Sequence, residues 1–136
     1  MQYLLDTNVV SEPLRPKPST NIMRRLHAHD GEIAIPALVW HELRYGWARL
    51  PKSRRRDAIE RFIEDVVRTS FPVIEYDREA ADWHAMERAR LSAGGKTPPF
   101  VDGQIAAIAH VNGLSLVTSN IGHFREFQSL RLLDWA

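Results

Sequence analysis

Cysteine is absent from this chain of 136 residues, which excludes disulfide scaffolds, cysteine-ligated zinc or iron–sulfur centres and thiol nucleophiles. A reducing compartment is compatible with that absence, and the cytoplasm is the expected location. An excess of one charge is missing too. The 18 Lys and Arg residues stand against 17 Asp and Glu, so no global field draws the protein toward nucleic acid or an anionic membrane. Any polyanion site has to be a local patch. Lysine itself is scarce, three residues against fifteen arginines; Arg forks suit phosphate and carboxylate, although a codon bias toward Arg produces the same count. The longest apolar run, Ile33 to Trp40, has eight residues and contains Pro36, whereas a bilayer span takes about 20. The first residues reach Asp6 too soon for a signal peptide. Internal repeats, low-complexity tracts and long linkers do not occur.

What is present is a 44% hydrophobic composition, enough for one core in one domain spanning residues 1–136. Short apolar runs alternate with longer amphipathic ones, which predicts an α/β fold, a three-layer sandwich around a mainly parallel sheet. Residues 2–5 read as a buried strand ended by Asp6-Thr7-Asn8, followed by a loop punctuated by Pro13, Pro16 and Pro18. Ser19 or Thr20 caps a helix reaching about His29 with Ile22, Met23 and Leu26 as its stripe. Ile33-Ala34-Ile35 is the second strand, and Pro36 suits the first turn of the next helix, which carries Leu38, Val39, Glu42, Leu43 and Trp47. Residues 53–70 predict a charged helix buried through Ile59, Phe62, Ile63 and Val66. Val73-Ile74 is a third strand. Asp77 caps a helix that Gly94 and Gly95 end. A small-residue helix runs from about Val101 to Asn112, Leu114 to Val117 form a fourth strand, and Leu132-Leu133 an edge strand.

Most acids sit among Arg and Lys on helix faces. Three do not. Asp6 follows the first strand, Glu42 lies one turn into the helix after the second, and Asp102 opens the small-residue helix that leads into the fourth. In open α/β sheets ligands bind beyond the carboxyl ends of the strands. Strand position places Asp6 and Asn120 there, and helix starts place Glu42 and Asp102 at the same edge. Such a group of oxygen donors suits hard Mg²⁺ or Mn²⁺, and the chemistry that needs it is metal-assisted phosphodiester hydrolysis. Taken singly each residue has a plainer role: a turn cap for Asp6, a first-turn helix acid worth about 0.3–1 kcal/mol for Asp102, a surface side chain for Glu42, and turn chemistry for Thr118-Ser119-Asn120. Their joint placement is the signal.

These segments together resemble the PIN domain, and within it the VapC-type ribonuclease toxins of prokaryotic toxin–antitoxin pairs. Tyr3-Leu4-Leu5-Asp6-Thr7-Asn8 resembles the opening motif. Glu42-Leu43 with Gly46 resembles the second, Asp102-Gly103-Gln104-Ile105-Ala106-Ala107-Ile108-Ala109 the third, and Gly113 to Asn120 with His123-Phe124 the fourth. The resemblance implies an endoribonuclease dependent on Mg²⁺ or Mn²⁺, acting on RNA, with an antitoxin protein as partner and a homodimer or larger assembly. It implies that Asp6 and Asp102 ligate metal, that Glu42 holds metal-bound water or acts as base, and that Thr7 and Asn120 orient ligands or water. Many relatives carry an acid in place of Asn120 or His123. Neither is acidic here, so one ion with a mostly hydrated shell is expected.

Arg15, Lys17, Arg24, Arg25 and the Lys52–Arg56 cluster are the candidate RNA contacts, with Arg56 and Arg61 assigned instead to balancing acids on a helix face. The six histidines, His123 included, show no metal-ligand spacing and are expected to be structural or surface groups. Trp40, Trp47 and Trp83 suit the core or, where exposed, a dimer or antitoxin interface. Two other readings remain beside the ribonuclease. A catalytically silent PIN scaffold would bind RNA or a partner without retaining three acids for a reason. A phosphoacceptor receiver domain needs an acidic pair after the first strand and a late Lys, and no Lys follows Lys96.

Overall fold

The structure, a computed structural model, describes residues 1–136. In chain order the elements are β1 (Tyr3–Leu5), α1 (Thr7–Val10), a 3₁₀ turn (Glu12–Leu14), α2 (Thr20–Ala28), β2 (Ile33–Pro36), α3 (Ala37–Ala48) and α4 (Arg54–Arg61). A π-helical segment (Phe62–Val67), α5 (Arg68–Ser70), β3 (Val73–Ile74), α6 (Arg78–Ala93), α7 (Phe100–Val111), β4 (Ser115–Val117), α8 (Ile121–Phe124) and β5 (Leu132–Leu133) complete the fold. The strands form one parallel sheet in the order β3-β2-β1-β4-β5. Neighbouring side chains in a strand point to opposite faces, yet Leu4 and Leu5, Ala34 and Ile35, and Leu116 and Val117 are all fully buried. Helices therefore cover both faces, as the uninterrupted apolar strands predict.

The order of the strands decides where a ligand can sit. From β1 the chain steps outward through β2 and β3, then returns to the other side of β1 as β4. The gap between the carboxyl ends of β1 and β4 is thus the topological switch point, the crevice in which α/β sheets bind ligands. Helix α3 follows β2 and α7 precedes β4, so both helices present their N-terminal turns to that edge.

Side-chain caps hold the helix starts: Ser19 for α2, Ser53 for α4 and Asp77 for α6 each accept the backbone N–H three residues on. Helix α6 buries Ala80, His84, Glu87 and Leu91 along one stripe. Helix α7 buries Gly103 and every residue from Ile105 to Ala109, and its small side chains let α6 and the sheet approach from two sides. The closest approach is at Gly103, where an added Cβ would overlap the His84 ring. Gly113, with φ 67°, takes the left-handed turn that carries α7 into β4.

Three local expectations need correction. Residues 53–70 are not one regular helix. The π-helical turns over Phe62–Val67 insert an extra residue into the register, so the buried position moves from Val66, 44% exposed, to Val67, fully buried. Pro36 closes β2 in extended conformation, φ −74° and ψ 152°, rather than entering the helix. Asp6 is followed by α1 rather than by a loop. No helix is long and apolar enough to cross a membrane.

Glu87 fastens the C-terminal region to α6. Its carboxylate accepts Arg90 Nε at 2.7 Å and the backbone N–H of Gln128 at 2.7 Å. The Arg90 hydrogen bond is the chief cause holding this buried carboxyl below its ordinary range, with the Gln128 amide adding to it against desolvation. A depressed carboxylate stabilises the fold above its unfolded pKa, about 4.3, and that contribution is lost as pH falls through the folded value. Glu87→Gln is expected to cost about 1–3 kcal/mol in urea unfolding at pH 7, with the difference from wild type closing below about pH 4. An equal cost at pH 7 and pH 3 would contradict the ion pair.

Candidate active site

The central strand ends in a carboxylate that is almost wholly buried. Asp6, 9% exposed, caps α1: its Oδ1 accepts the Thr7 N–H at 2.8 Å. Oδ2 accepts the Thr118 hydroxyl at 2.9 Å and the Asn8 amide at 3.3 Å. A carboxylate in an apolar sheet is tolerated only when hydrogen-bonded in this way. Thr118 is fully buried just beyond β4, and its Oγ1 also accepts the Asn120 N–H at 3.0 Å. Asn8 Oδ1 in turn accepts the Ser119 N–H at 3.1 Å. The ends of β1 and β4 are thereby joined across the crevice.

Glu42 reaches the same place from α3. The Thr7 hydroxyl donates to Glu42 Oε2 at 2.7 Å, which fixes an exposed carboxylate beside the buried one and leaves Oε1 without a protein donor. Asn120, expected to orient a ligand, contributes its backbone; its side chain hydrogen-bonds none of the three carboxylates.

Asp102 completes the group from the first turn of α7. Its side chain is 18% exposed, and Oδ2 is buried with no hydrogen-bond partner. His123 Nδ1, on α8, lies 3.3 Å from that oxygen, an ion-pair distance. Desolvation raises the Asp102 carboxyl above its ordinary range; His123 opposes this, while the charges of Asp6 and Glu42 add to it. Both charges act on Asp102, so the three carboxylates lie within electrostatic reach of one another. The α7 start is braced from behind, where His84 seats on Gly103 and its Nδ1 meets the Tyr76 hydroxyl at 3.1 Å.

The donor chemistry fits a hard divalent cation. All the acidic donors are oxygens, and the one buried polar oxygen of the group that lacks a partner belongs to Asp102. The side chains do not build an all-protein cage, since no three acid or His groups gather as a ready ligand set. An ion here would be held through one or two carboxylates, with several waters retained.

Three arginines border the crevice. Arg15 and Arg55 line a cleft of about 530 Å³ with Asn8 and Ser11, and Arg55 also lines a groove of about 180 Å³ that contains Glu42 and Arg49. Arg61 lies among Asp57, Glu60, Glu64 and Asp65 as expected, whereas Arg56, expected to balance the same acids, instead stacks 4.3 Å from the Trp47 ring and donates Nε to the Trp47 carbonyl.

The sequence reading misses two members. Thr118 reads as turn chemistry, although its position continuing a strand buried on both faces is a usable signal that its hydroxyl faces inward. His123 reads as a surface histidine. Its approach to Asp102 bridges 21 positions and depends on the placement of α8, for which no local pattern speaks.

Comparison with known proteins agrees with this geometry. The profile of the family described as PIN domain matches residues 3–129. Toxin FitB of Neisseria gonorrhoeae is 32% identical over 124 residues, covering 89% of each chain. The tRNA(fMet)-specific endonuclease VapC of Shigella flexneri is 30% identical over 137 residues, covering 100% of this chain and 99% of its own. Among solved structures, FitAcB from Neisseria gonorrhoeae superposes with a TM-score of 0.86 at 29% identity, over 97% of this chain and 96% of that one.

The desolvated carboxyl of Asp102 has a measurable consequence. A carboxyl whose folded pKa is raised destabilises the fold as pH rises from its unfolded pKa, about 3.9, through the folded value, and the penalty is complete above that. In chelator at pH 7, Asp102→Asn is expected to melt a few degrees higher than wild type, the gain shrinking as pH approaches 4. A first-turn helix acid with no site around it would give the opposite sign; a lower melting temperature for the variant would mean that Asp102 is only that.

Proposed function

The chain belongs to the PIN-domain family, and on that premise we propose that it is a metal-dependent endoribonuclease serving as the toxin of a toxin–antitoxin pair. The observation that carries this reading is the meeting of Asp6, Glu42 and Asp102 at the switch point, with Asp102 Oδ2 buried and unpaired. Asp6 and Asp102 are the residues that would hold Mg²⁺ or Mn²⁺. When bound, such an ion neutralises charge on a phosphate oxygen and makes a water more acidic.

The chain's own groups supply the rest. Thr118, Asn8 and the Thr7 amide fix the Asp6 carboxylate so that it does not reorganise during reaction. Glu42, oriented through Oε2 by the Thr7 hydroxyl, has Oε1 free to accept a proton from an attacking water, the role of general base. Asn120 keeps the loop after β4 in place through its N–H on Thr118. Arg15 and Arg55 offer forked donors to backbone phosphates in the adjoining cleft.

RNA cleavage with and without chelator tests the reading. Asp6→Asn, Glu42→Gln and Asp102→Asn are each expected to lose at least about 100-fold in rate while keeping the wild-type circular dichroism spectrum. Cleavage that resists chelator, or a near wild-type rate for Asp102→Asn, would overturn it. In the same assay Arg55→Ala is expected to raise KM and to lower the salt dependence of binding by about 0.7 for one lost phosphate contact.

The partner proposal rests on the relative named a toxin. The negative crevice suits a guanidinium from an antitoxin, which pairs with carboxylates in a bidentate fork. Expression of the chain alone is expected to arrest growth, and co-expression of the product of the adjacent reading frame to relieve it. Normal growth at high soluble levels of the intact protein would count against the toxin role.

A further inference from the structure

The large aromatic side chains of α3 have unequal surroundings. Trp40 lies under the Arg68 guanidinium at 4.8 Å, and Trp47 is held by Arg44 at 4.5 Å and Arg56 at 4.3 Å. Tyr45 is left 61% exposed. Residues three and four apart are neighbours on a helix surface, so Tyr45 stands beside both His41 and Glu42, and Arg49 continues the row. The His41 and Tyr45 rings are 2° from parallel with centroids 6.4 Å apart, and His41 is itself exposed. The Arg49 guanidinium carbon is 5.7 Å from the Tyr45 centroid. Arg49 also lines the groove that contains Glu42 and Arg55. It is not among the arginines paired with acids, which are Arg15, Arg44, Arg68 and Arg90. A single exposed aromatic needs no explanation. Two parallel exposed rings and an unpaired arginine, one helical turn from a carboxylate of the site, have the make-up of a stacking platform joined to a phosphate contact.

We propose that the His41–Tyr45–Arg49 row of α3 is a subsite for one unpaired nucleobase, stacked on the Tyr45 ring, with Arg49 on the adjoining phosphate. The inference rests on the ribonuclease reading above and adds to it the feature by which substrates are sorted. A base can lie flat on a side chain only after it has left its own stack and its pairing partner, so the subsite takes single strands and loops and rejects duplex. Every base has a π-face, which makes such a contact tolerant of sequence. The parallel His41 ring extends the platform along the helix in the same plane orientation. Arg49 meets both needs of a nucleotide: its guanidinium faces the aromatic ring, and its fork suits a phosphate oxygen pair. Because Glu42 and Tyr45 share the surface of one rigid helix, a base held at Tyr45 fixes the distance from the strand's backbone to the acid.

The test uses the full chain and two probes, a fluorescein-labelled single-stranded RNA of mixed sequence and the same strand annealed to its complement. Each variant is read by anisotropy in chelator and by KM for cleavage in Mn²⁺. Tyr45→Ala is expected to weaken the single strand about fivefold or more and the duplex less than about twofold, with the salt dependence unchanged. Tyr45→Phe, which keeps the ring, is expected to stay within about twofold of wild type. Arg49→Ala should instead lower the salt slope on the single strand by about 0.7, the signature of one lost phosphate contact. An abasic nucleotide moved along the strand is expected to cost wild type the same factor at one position, and to cost Tyr45→Ala nothing further there. Single-strand affinity and KM at wild-type values in Tyr45→Ala, or an equal loss on both probes, would overturn the proposal and leave the carboxylate site standing. So would sedimentation showing that Tyr45→Ala splits a wild-type dimer while each chain binds RNA as before, which would make the row a contact between copies. Wild type that neither binds RNA in chelator nor cleaves it in Mn²⁺ would instead overturn the ribonuclease reading beneath.

Discussion

A carboxylate at the end of the central strand cannot sit in an apolar sheet unless its oxygens are hydrogen-bonded, and the carboxyl edge of this protein is arranged around meeting that requirement for Asp6. Leaving such a group buried and unpaired costs several kcal/mol, a large share of the roughly 5–15 kcal/mol that separates a folded domain from its unfolded chain. The donors come from both sides of the switch point: Thr7 and Asn8 from the start of α1, Thr118 from the end of β4. Satisfying Asp6 therefore locks the two strands whose separation defines the crevice. The same Thr7 that caps with its amide also orients Glu42 with its hydroxyl, so a stability requirement and the placement of a second acid are met by one residue.

Asp102 is treated in the opposite way. Its helix is held firmly, with small residues against the sheet and Gly103 beneath His84, but its Oδ2 is given no hydrogen bond. Rigid placement of an unsatisfied acid next to two others is unfavourable for the fold and favourable for binding a cation. The contrast is between Asp6, whose carboxylate accepts three hydrogen bonds, and Asp102, whose buried oxygen faces only His123 at 3.3 Å. Stability elsewhere, as in the Glu87–Arg90–Gln128 junction, offsets that local cost.

Much of this was legible in the residues alone because it is written in local patterns. Strands buried on both faces show as uninterrupted runs such as Ile33-Ala34-Ile35, capping residues announce α2 and α6, and the position of an acid relative to a strand end places Asp6, Glu42 and Asp102 on one edge. What stayed hidden depends on packing over distance. The shift of burial from Val66 to Val67 arises from π-helical turns that no apolar period foretells, because the sequence there fits a regular helix equally well. Thr118 looks like any residue of a polar turn until β1 is known to lie beside β4. His123 gains its meaning only from Asp102, across a helix–strand–helix connection. Side chains that act through a neighbour distant in sequence were therefore the ones missed, while those marked by their own element were found.

The most direct measurement is a double-mutant cycle between Asp6→Asn and Asp102→Asn, read as unfolding free energy in chelator and again in millimolar Mn²⁺. If the two carboxylates share one site that binds the ion, their coupling is repulsive without metal, of order 0.5–3 kcal/mol, and changes sign with metal, since either substitution alone forfeits the stabilisation by binding. Effects that add within about 0.3–0.5 kcal/mol under both conditions would show two independent acids and contradict a shared cation site.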